Sequence, residues 1–138
     1  MSRGEAEKVT KGFTSQKYCS VPEGMKEHCS KKIIKAHTVS KSGCLAEISD
    51  ETNHVLGLKP SLSSLNKNSG IVHLEKIGIN RASTFGGFCS FHDKELFSPI
   101  EDNEFVYTEE QCFLLAYRAV AKEQYAKQSQ SDFVELLK

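Results

Sequence analysis

The sequence predicts an α+β fold, and three observations carry that expectation. Short β-branched runs such as Ile33-Ile34 and Ile71-Val72 are separated by turn residues, and none exceeds the length of a strand. A cysteine and a histidine, Cys89 and His92, stand with two residues between them and open directly into a helical run at Asp93-Lys-Glu-Leu-Phe97. Behind the capping box Thr108-Glu-Glu-Gln111, a longer periodic stretch predicts a further helix added at the C-terminal side.

Length and composition bound what such a fold can be. A chain of 138 residues fits one domain, and a hydrophobic content of 38% predicts a modest core that a metal staple would help. No run is long and apolar enough to span a membrane and the first residues lack the apolar centre of a secretory signal, so no membrane contact and a cytoplasmic location are expected. Five cysteines, an odd number at irregular spacing, suit metal ligation in a reducing compartment better than a disulfide framework. The chain has no glycine-rich phosphate loop, nucleophile elbow or dinucleotide fingerprint.

In chain order, residues 1–16 are polar and read as a flexible leader, and residues 17–128 as the folded domain. Pro22-Glu-Gly24 marks a turn between Cys19 and Cys29 that could bring the two thiols together. A first strand is expected within Lys32–Lys41, ending at Ser42-Gly43, with one helical turn after it around Leu45 and Ile48. Thr52–Pro60 reads as a second strand stopped by the proline, Ser61–Gly70 as a flexible loop and Ile71–Ile79 as a third strand. Gly86-Gly87 supplies the loose backbone of a tight turn before the Cys-x2-His pair. Lys94–Ile100 is a short helix with Leu96, Phe97 and Ile100 on one face, and Pro99 limits it. The last helix should run to about Lys127 with Cys112, Leu115, Ala116, Ala119 and Val120 as its buried stripe, while Tyr117, Arg118 and Tyr125 could contribute to a dimer face. Ser129–Ser131 breaks the pattern and Asp132 caps another helix, so residues 129–138 read as the start of an element that a truncated chain leaves unfinished.

Cys-x2-His is the spacing of a zinc knuckle, but two ligands do not make a tetrahedral structural site. Cys19 and Cys29 are the only other closely placed cysteine pair, so Cys19, Cys29, Cys89 and His92 are the expected zinc ligands, closing the site across the domain. His28 is an alternative to Cys29, and His37 to Cys19 or His92. Cys112 reads as core and Cys44, beside a glycine, as incidental; His54 and His73 read as ordinary strand histidines.

The neutral net charge hides a gradient. Met1–Lys41 holds nine Lys/Arg against four Asp/Glu, whereas Asp93–Lys138 holds five against ten. A basic N-terminal lobe next to a metal site suits a polyanion, although a merely solvated face carries such an imbalance too.

The order Cys-x9-Cys, then a strand bearing Ala36-His-Thr-Val-Ser40, a β-rich interval and a Cys-x2-His knuckle opening a helix, resembles the treble-clef zinc fold. In particular it is similar to the HNH-like modules of prokaryotic nucleases and defence-associated proteins. The resemblance covers about 17–101 and implies a zinc-stapled core with a histidine on the first strand as general base and a polar residue at the helix start on a catalytic divalent metal. Those roles fall here on His37 and Asp93, with Mg²⁺ or Mn²⁺ as the second cation. Two functions are therefore expected: a zinc-binding module, part of a longer protein, that binds nucleic acid through its basic lobe or recruits a protein partner, and alternatively a metal-dependent HNH-like endonuclease. A metal-free domain with incidental cysteines is the remaining reading.

Overall fold

A computed structural model describes residues 17–58 and 62–136. The expected leader, residues 1–16, and the stop at Pro60 lie outside the described residues. Short antiparallel strands and helices make up a mixed α+β structure, and the chain divides into two compact units, one formed by the segments up to Thr38 and from Thr84, the other by Val39–Ser83. No helix among the described residues is long and apolar enough to cross a membrane.

The first unit is built on strand β1, Ile33–His37, paired antiparallel with β4, Thr84–Cys89. The pairing steps from Ile34↔Phe88 to Ala36↔Phe85, so Gly86 and Gly87 together face Lys35. The glycines therefore form a β-bulge inside a strand, not the tight turn expected from their identity. At Gly87 the need for glycine is steric: a side chain there would run into the Phe85 ring and come within 3.2 Å of Ser20 Oγ. The bulge leaves carbonyls for the N-terminal segment, since Tyr18 N–H donates to Gly86 O at 3.3 Å and Ser20 N–H to Gly87 O at 2.8 Å.

Helix α2 follows at Ser90–Glu101, starting earlier than expected because Cys89 itself is the N-cap. Pro99 sits inside it and the helix ends two residues later. Helix α3 spans Glu109–Leu136 without a break. The expected interruption at Ser129 does not occur, because Ser129 Oγ donates to Tyr125 O at 2.9 Å and the hydroxyl is satisfied within the helix; the Asp132 start of a separate helix is likewise absent. Half of the capping box forms: Thr108 Oγ1 accepts from Gln111 N–H at 3.2 Å. The Gln111 side chain instead stitches the helix to the preceding loop, accepting from Val106 N–H and donating to the carbonyls of Pro99 and Glu104.

The core of this unit joins Val21, Ala36, Phe85, Phe88, Phe97, Ile100, Leu114 and Ala121, with Leu96, Tyr117 and Tyr125 packed against it. The buried face of α3 is thus Gln111, Leu114, Arg118, Ala121 and Ser129, whereas Cys112, Leu115, Ala116, Ala119 and Val120 are exposed. Both the expected stripe and the core placement of Cys112 are corrected. Tyr117, Arg118 and Tyr125 belong to the core side and not to an outer dimer face. Leu114 is 7% exposed and Val120 65%. Leu114→Ala should therefore cost about 2–5 kcal/mol, and Val120→Ala stay within about 0.5 kcal/mol, in urea titrations of the two variants.

In the second unit, a helical turn at Lys41–Leu45, capped by Ser40 Oγ, leads to strand β2, His54–Leu58. Residues 61–70, expected as a loop, contain helix α1 at Leu62–Lys67. Its exit is closed by Ser69 and Gly70 at positive φ, with Gly70 N–H donating to Leu65 O at 2.7 Å. Strand β3, Leu74–Gly78, pairs antiparallel with β2 in the register Val55↔Ile77 and Leu58↔Leu74. Leu45, Val55, Ile79 and Ala82 form the small core of this unit. The turn into β2 is fixed by Asp50: Lys76, Thr52 and the His54 amide all donate to its carboxylate and hold its pKa below the usual carboxylate range.

Candidate metal centre

Each element at this centre is placed by a local rule. Cys19 sits between the two residues whose amides bond the β4 bulge, and Tyr117 Oη donates to Ser20 O at 3.2 Å, which holds the segment from the other side. Pro22 opens the 3₁₀ turn Glu23–His28, after which Cys29, its N–H bonded to Lys26 O, returns toward β4. Cys89 ends β4 and caps α2, and His92 follows one helical turn later on the same side.

The result is a cluster in which one ligand atom from each of Cys19, Cys29, Cys89 and His92 lies within 4.8 Å of all the others. His92 Nδ1 is 3.5 Å from Cys19 Sγ and 3.3 Å from Cys89 Sγ. Tetrahedral zinc with ordinary Zn–S and Zn–N bonds would separate such atoms by about 3.6 Å, so the group has nearly the dimensions the ion requires. Cys89 and His92 are buried, and Cys19 and Cys29 half-buried. Three cysteines and one histidine at this spacing could hold a metal ion such as zinc.

Backbone amides surround the sulfurs. Cys89 N–H donates to Cys19 Sγ at 3.4 Å, and His92 N–H to Cys89 Sγ at 3.5 Å. Burial pushes the Cys89 thiol up, but donation from the His92 amide, from the Ser30 hydroxyl and amide and from Cys29 outweighs it and brings the group to about 5. Burial dominates at Cys19, where the Cys89 and Val21 amides only partly offset it and the Cys89 sulfur adds to it, and the thiol is raised to about 11. At neutral pH one sulfur is therefore ready as a thiolate and the other must lose a proton to a metal.

Zinc uptake at pH 7 should consequently release the Cys19 proton, and apparent affinity should fall about tenfold per pH unit on acidification for each proton displaced. Calorimetry in buffers of different ionisation enthalpy measures that release, and a proton count that does not rise as the pH is lowered towards neutral would contradict it.

The other expected residues lie elsewhere. His28 is exposed, with Nε2 3.0 Å from Glu27 Oε1, and neither it nor His37 belongs to the cluster. His37 ends β1 opposite Thr84. Asp93 Oδ1 is buried and makes no hydrogen bond among the described residues. Burial raises the Asp93 carboxyl, Arg118 and His37 pull it down, and Glu101 and Cys89 push it up. Among the described residues His37 and Asp93 form no group of three or more metal-binding side chains.

Sequence reasoning overlooked the polar residues that hold this end of the molecule together. Arg118 is buried, pairs with Glu101 and lies with Cζ 4.1 Å from the Phe97 ring centroid. Ser30 Oγ meets Ser90 Oγ at 3.0 Å, and Ser90 N–H donates to Lys32 O at 2.9 Å, tying the end of the Cys29 loop to the start of α2. The Ser30-Lys-Lys32 run after Cys29 carried no recognisable signal for these contacts.

No family model matches the chain, and neither the curated proteins nor the solved structures contain a match to it.

Proposed function

We propose that the chain is a zinc-binding, treble-clef-like module that binds nucleic acid on the surface beside its metal centre. The approach of Cys19, Cys29, Cys89 and His92 to within 4.8 Å is the observation that carries the reading. Zinc is the favoured ion because thiolate-rich tetrahedral groups suit it and hard cations prefer oxygen. Nucleic acid is favoured by what surrounds the centre. Lys31, Lys32 and Lys35 are exposed between Cys29 and the end of β1, and Lys94 is exposed one helical turn beyond Ser90. Among the described residues, Lys31, Lys32 and Lys94 make no ion pair. Phe91, between the two knuckle residues, is 42% exposed and could stack on a base, whereas Phe85 and Phe88 serve the core.

Elemental analysis of the wild type, Cys19→Ser and Cys89→Ser tests the first half of the reading. One equivalent of zinc, lost in both variants, supports it, and a metal-free wild type rejects it. For the second half, oligonucleotide binding should weaken with added salt and with Lys31→Glu/Lys32→Glu while zinc content stays the same. A salt-insensitive or absent interaction points instead to a protein partner.

The buried, unpartnered Asp93 oxygen, with His37 in electrostatic reach, favours one second reading, an HNH-like endonuclease. There Asp93 would hold a hard divalent cation that stabilises charge on the phosphate, and His37 would take the proton from the attacking water. Cleavage that requires Mg²⁺ or Mn²⁺ and vanishes in His37→Ala at unchanged zinc content is the expected result. Cleavage that survives in His37→Ala rejects it.

A further inference from the structure

We propose that the outer face of the β2–β3 sheet is an interface through which two copies of this chain pair. The alternation of the strands defines the face. Val55 and its partner Ile77 point to the small core of their unit, so His54, Leu56 and Leu58 of β2 point the other way, together with Leu74 and Lys76 of β3. An antiparallel sheet with one covered face normally turns polar residues outward. Here Leu56 is 66% exposed, Leu58 64% and Leu74 61%. At one end the patch extends to Ile48, which is 70% exposed and lines a recess with Leu56.

Leu56, Leu58, Leu74 and Ile48 expose roughly 450 Å² of largely aliphatic surface, within the range of the largest patch of a monomer and over half of the roughly 800 Å² each partner buries in a standard interface. The sheet itself needs cover. It has two strands, and among the described residues its inner face shares a core of four buried residues, Val55 included. A two-stranded sheet with little packed against it is marginal in water.

A second copy fits this face for two reasons. The face carries a projection and a hollow at opposite ends: Leu58 and Leu74 stand opposite one another at one end of the ladder, and at the other Ile48, Asp50, His54, Val55, Leu56 and Lys76 line a recess of about 380 Å³. A two-fold axis through the middle of the patch sets the leucines of each copy over the recess of the other, which is the self-complementarity an isologous dimer needs. The charges in the recess also permit it. Asp50 and Lys76 are paired within one copy at 2.7 Å, so two identical faces meet without net repulsion.

Sedimentation equilibrium of the zinc-loaded full chain, from micromolar to submillimolar concentration, tests the proposal. The wild type should dimerise, and Leu58→Asp or Leu74→Asp should raise the dissociation constant by roughly two orders of magnitude, because each change occurs twice across a two-fold interface. Both sites are solvent-exposed, and unchanged zinc content and far-ultraviolet circular dichroism will show that the variants are folded. Val120→Asp, on the outer face of α3, should leave the dimer intact. A wild type that is monomeric throughout overturns the proposal and leaves the face to another partner. A dimer that survives Leu58→Asp and Leu74→Asp, or that only Val120→Asp disrupts, also overturns it.

Discussion

Chelation of zinc should unfold the first unit, and Cys89→Ser should do the same even with zinc in excess. The reason lies in what the four side chains join. Cys19 belongs to the segment laid along β4, Cys29 ends the 3₁₀ turn, Cys89 is the last residue of β4 and His92 sits in the first turn of α2. One ion would tie three separate stretches of chain to the start of a helix, in a unit whose core cluster contains eight buried apolar residues among those described. Structural zinc in small domains contributes about 10–16 kcal/mol, as much as or more than the roughly 5–15 kcal/mol by which a typical domain is stable. Without the ion, Cys89 would be left as a thiolate with no exposure to water, held by hydrogen bonds alone. The expected observations are loss of the near-ultraviolet tyrosine signal in chelator and rapid amide exchange in Ile33–His37 and Thr84–Cys89. Recovery should follow with Zn²⁺ and not with Mg²⁺. An unchanged urea midpoint in chelator would show that the cluster is not a structural site.

The metal cluster was the most legible part of the sequence because its signal is short-range. Cys89 and His92 are fixed by a three-residue step at a helix start, and the remaining cysteine spacing makes Cys19 and Cys29 the expected partners; that neither His28 nor His37 replaces one of them is legible only from the geometry. The buried face of α3 was illegible for the opposite reason. Periodicity ranks positions by apolarity, yet the helix buries Gln111, Arg118 and Ser129, whose partners are Pro99, Glu101, Glu104 and Tyr125. A polar residue becomes a core residue when the fold brings it a partner, and the partners of Gln111 and Arg118 come from the preceding helix and loop. The same limit explains Gly86 and Gly87. Their backbone freedom was evident, but whether it serves a turn or a bulge depends on β1, about fifty residues earlier, and only the pairing register decides it. The small helix Leu62–Lys67 was missed because Ser and Asn suggested a loop, and six residues are too few for a periodic signal.

Arg118→Ala should be among the most destabilising single substitutions outside the metal cluster, costing about 3–5 kcal/mol. Its side chain is 2% exposed and its partner Glu101 is 27% exposed, so water reaches the carboxylate but not the guanidinium. Alanine removes the charge that faces Glu101, the cation above the Phe97 ring and the buried side-chain volume packed on that ring. It also removes a cation that lowers the pKa of Asp93, a half-buried carboxyl already raised by burial. A carboxyl whose pKa is higher in the folded than in the unfolded chain favours the folded state at low pH, and that contribution is lost as pH rises through the folded value. Without Arg118 the Asp93 value climbs further, so the deficit of the variant should grow from acid to neutral pH. Arg118→Met distinguishes charge from volume. Methionine keeps the contact with Phe97 and eliminates the buried, unbonded Nε, while Glu101 can turn to solvent, so its cost should be well below that of alanine. Urea titrations of the two variants at pH 5 and pH 7 give the comparison. Equal losses for Met and Ala, independent of pH, would mean that the ion pair itself is the main source of stability there and that packing above Phe97 contributes little.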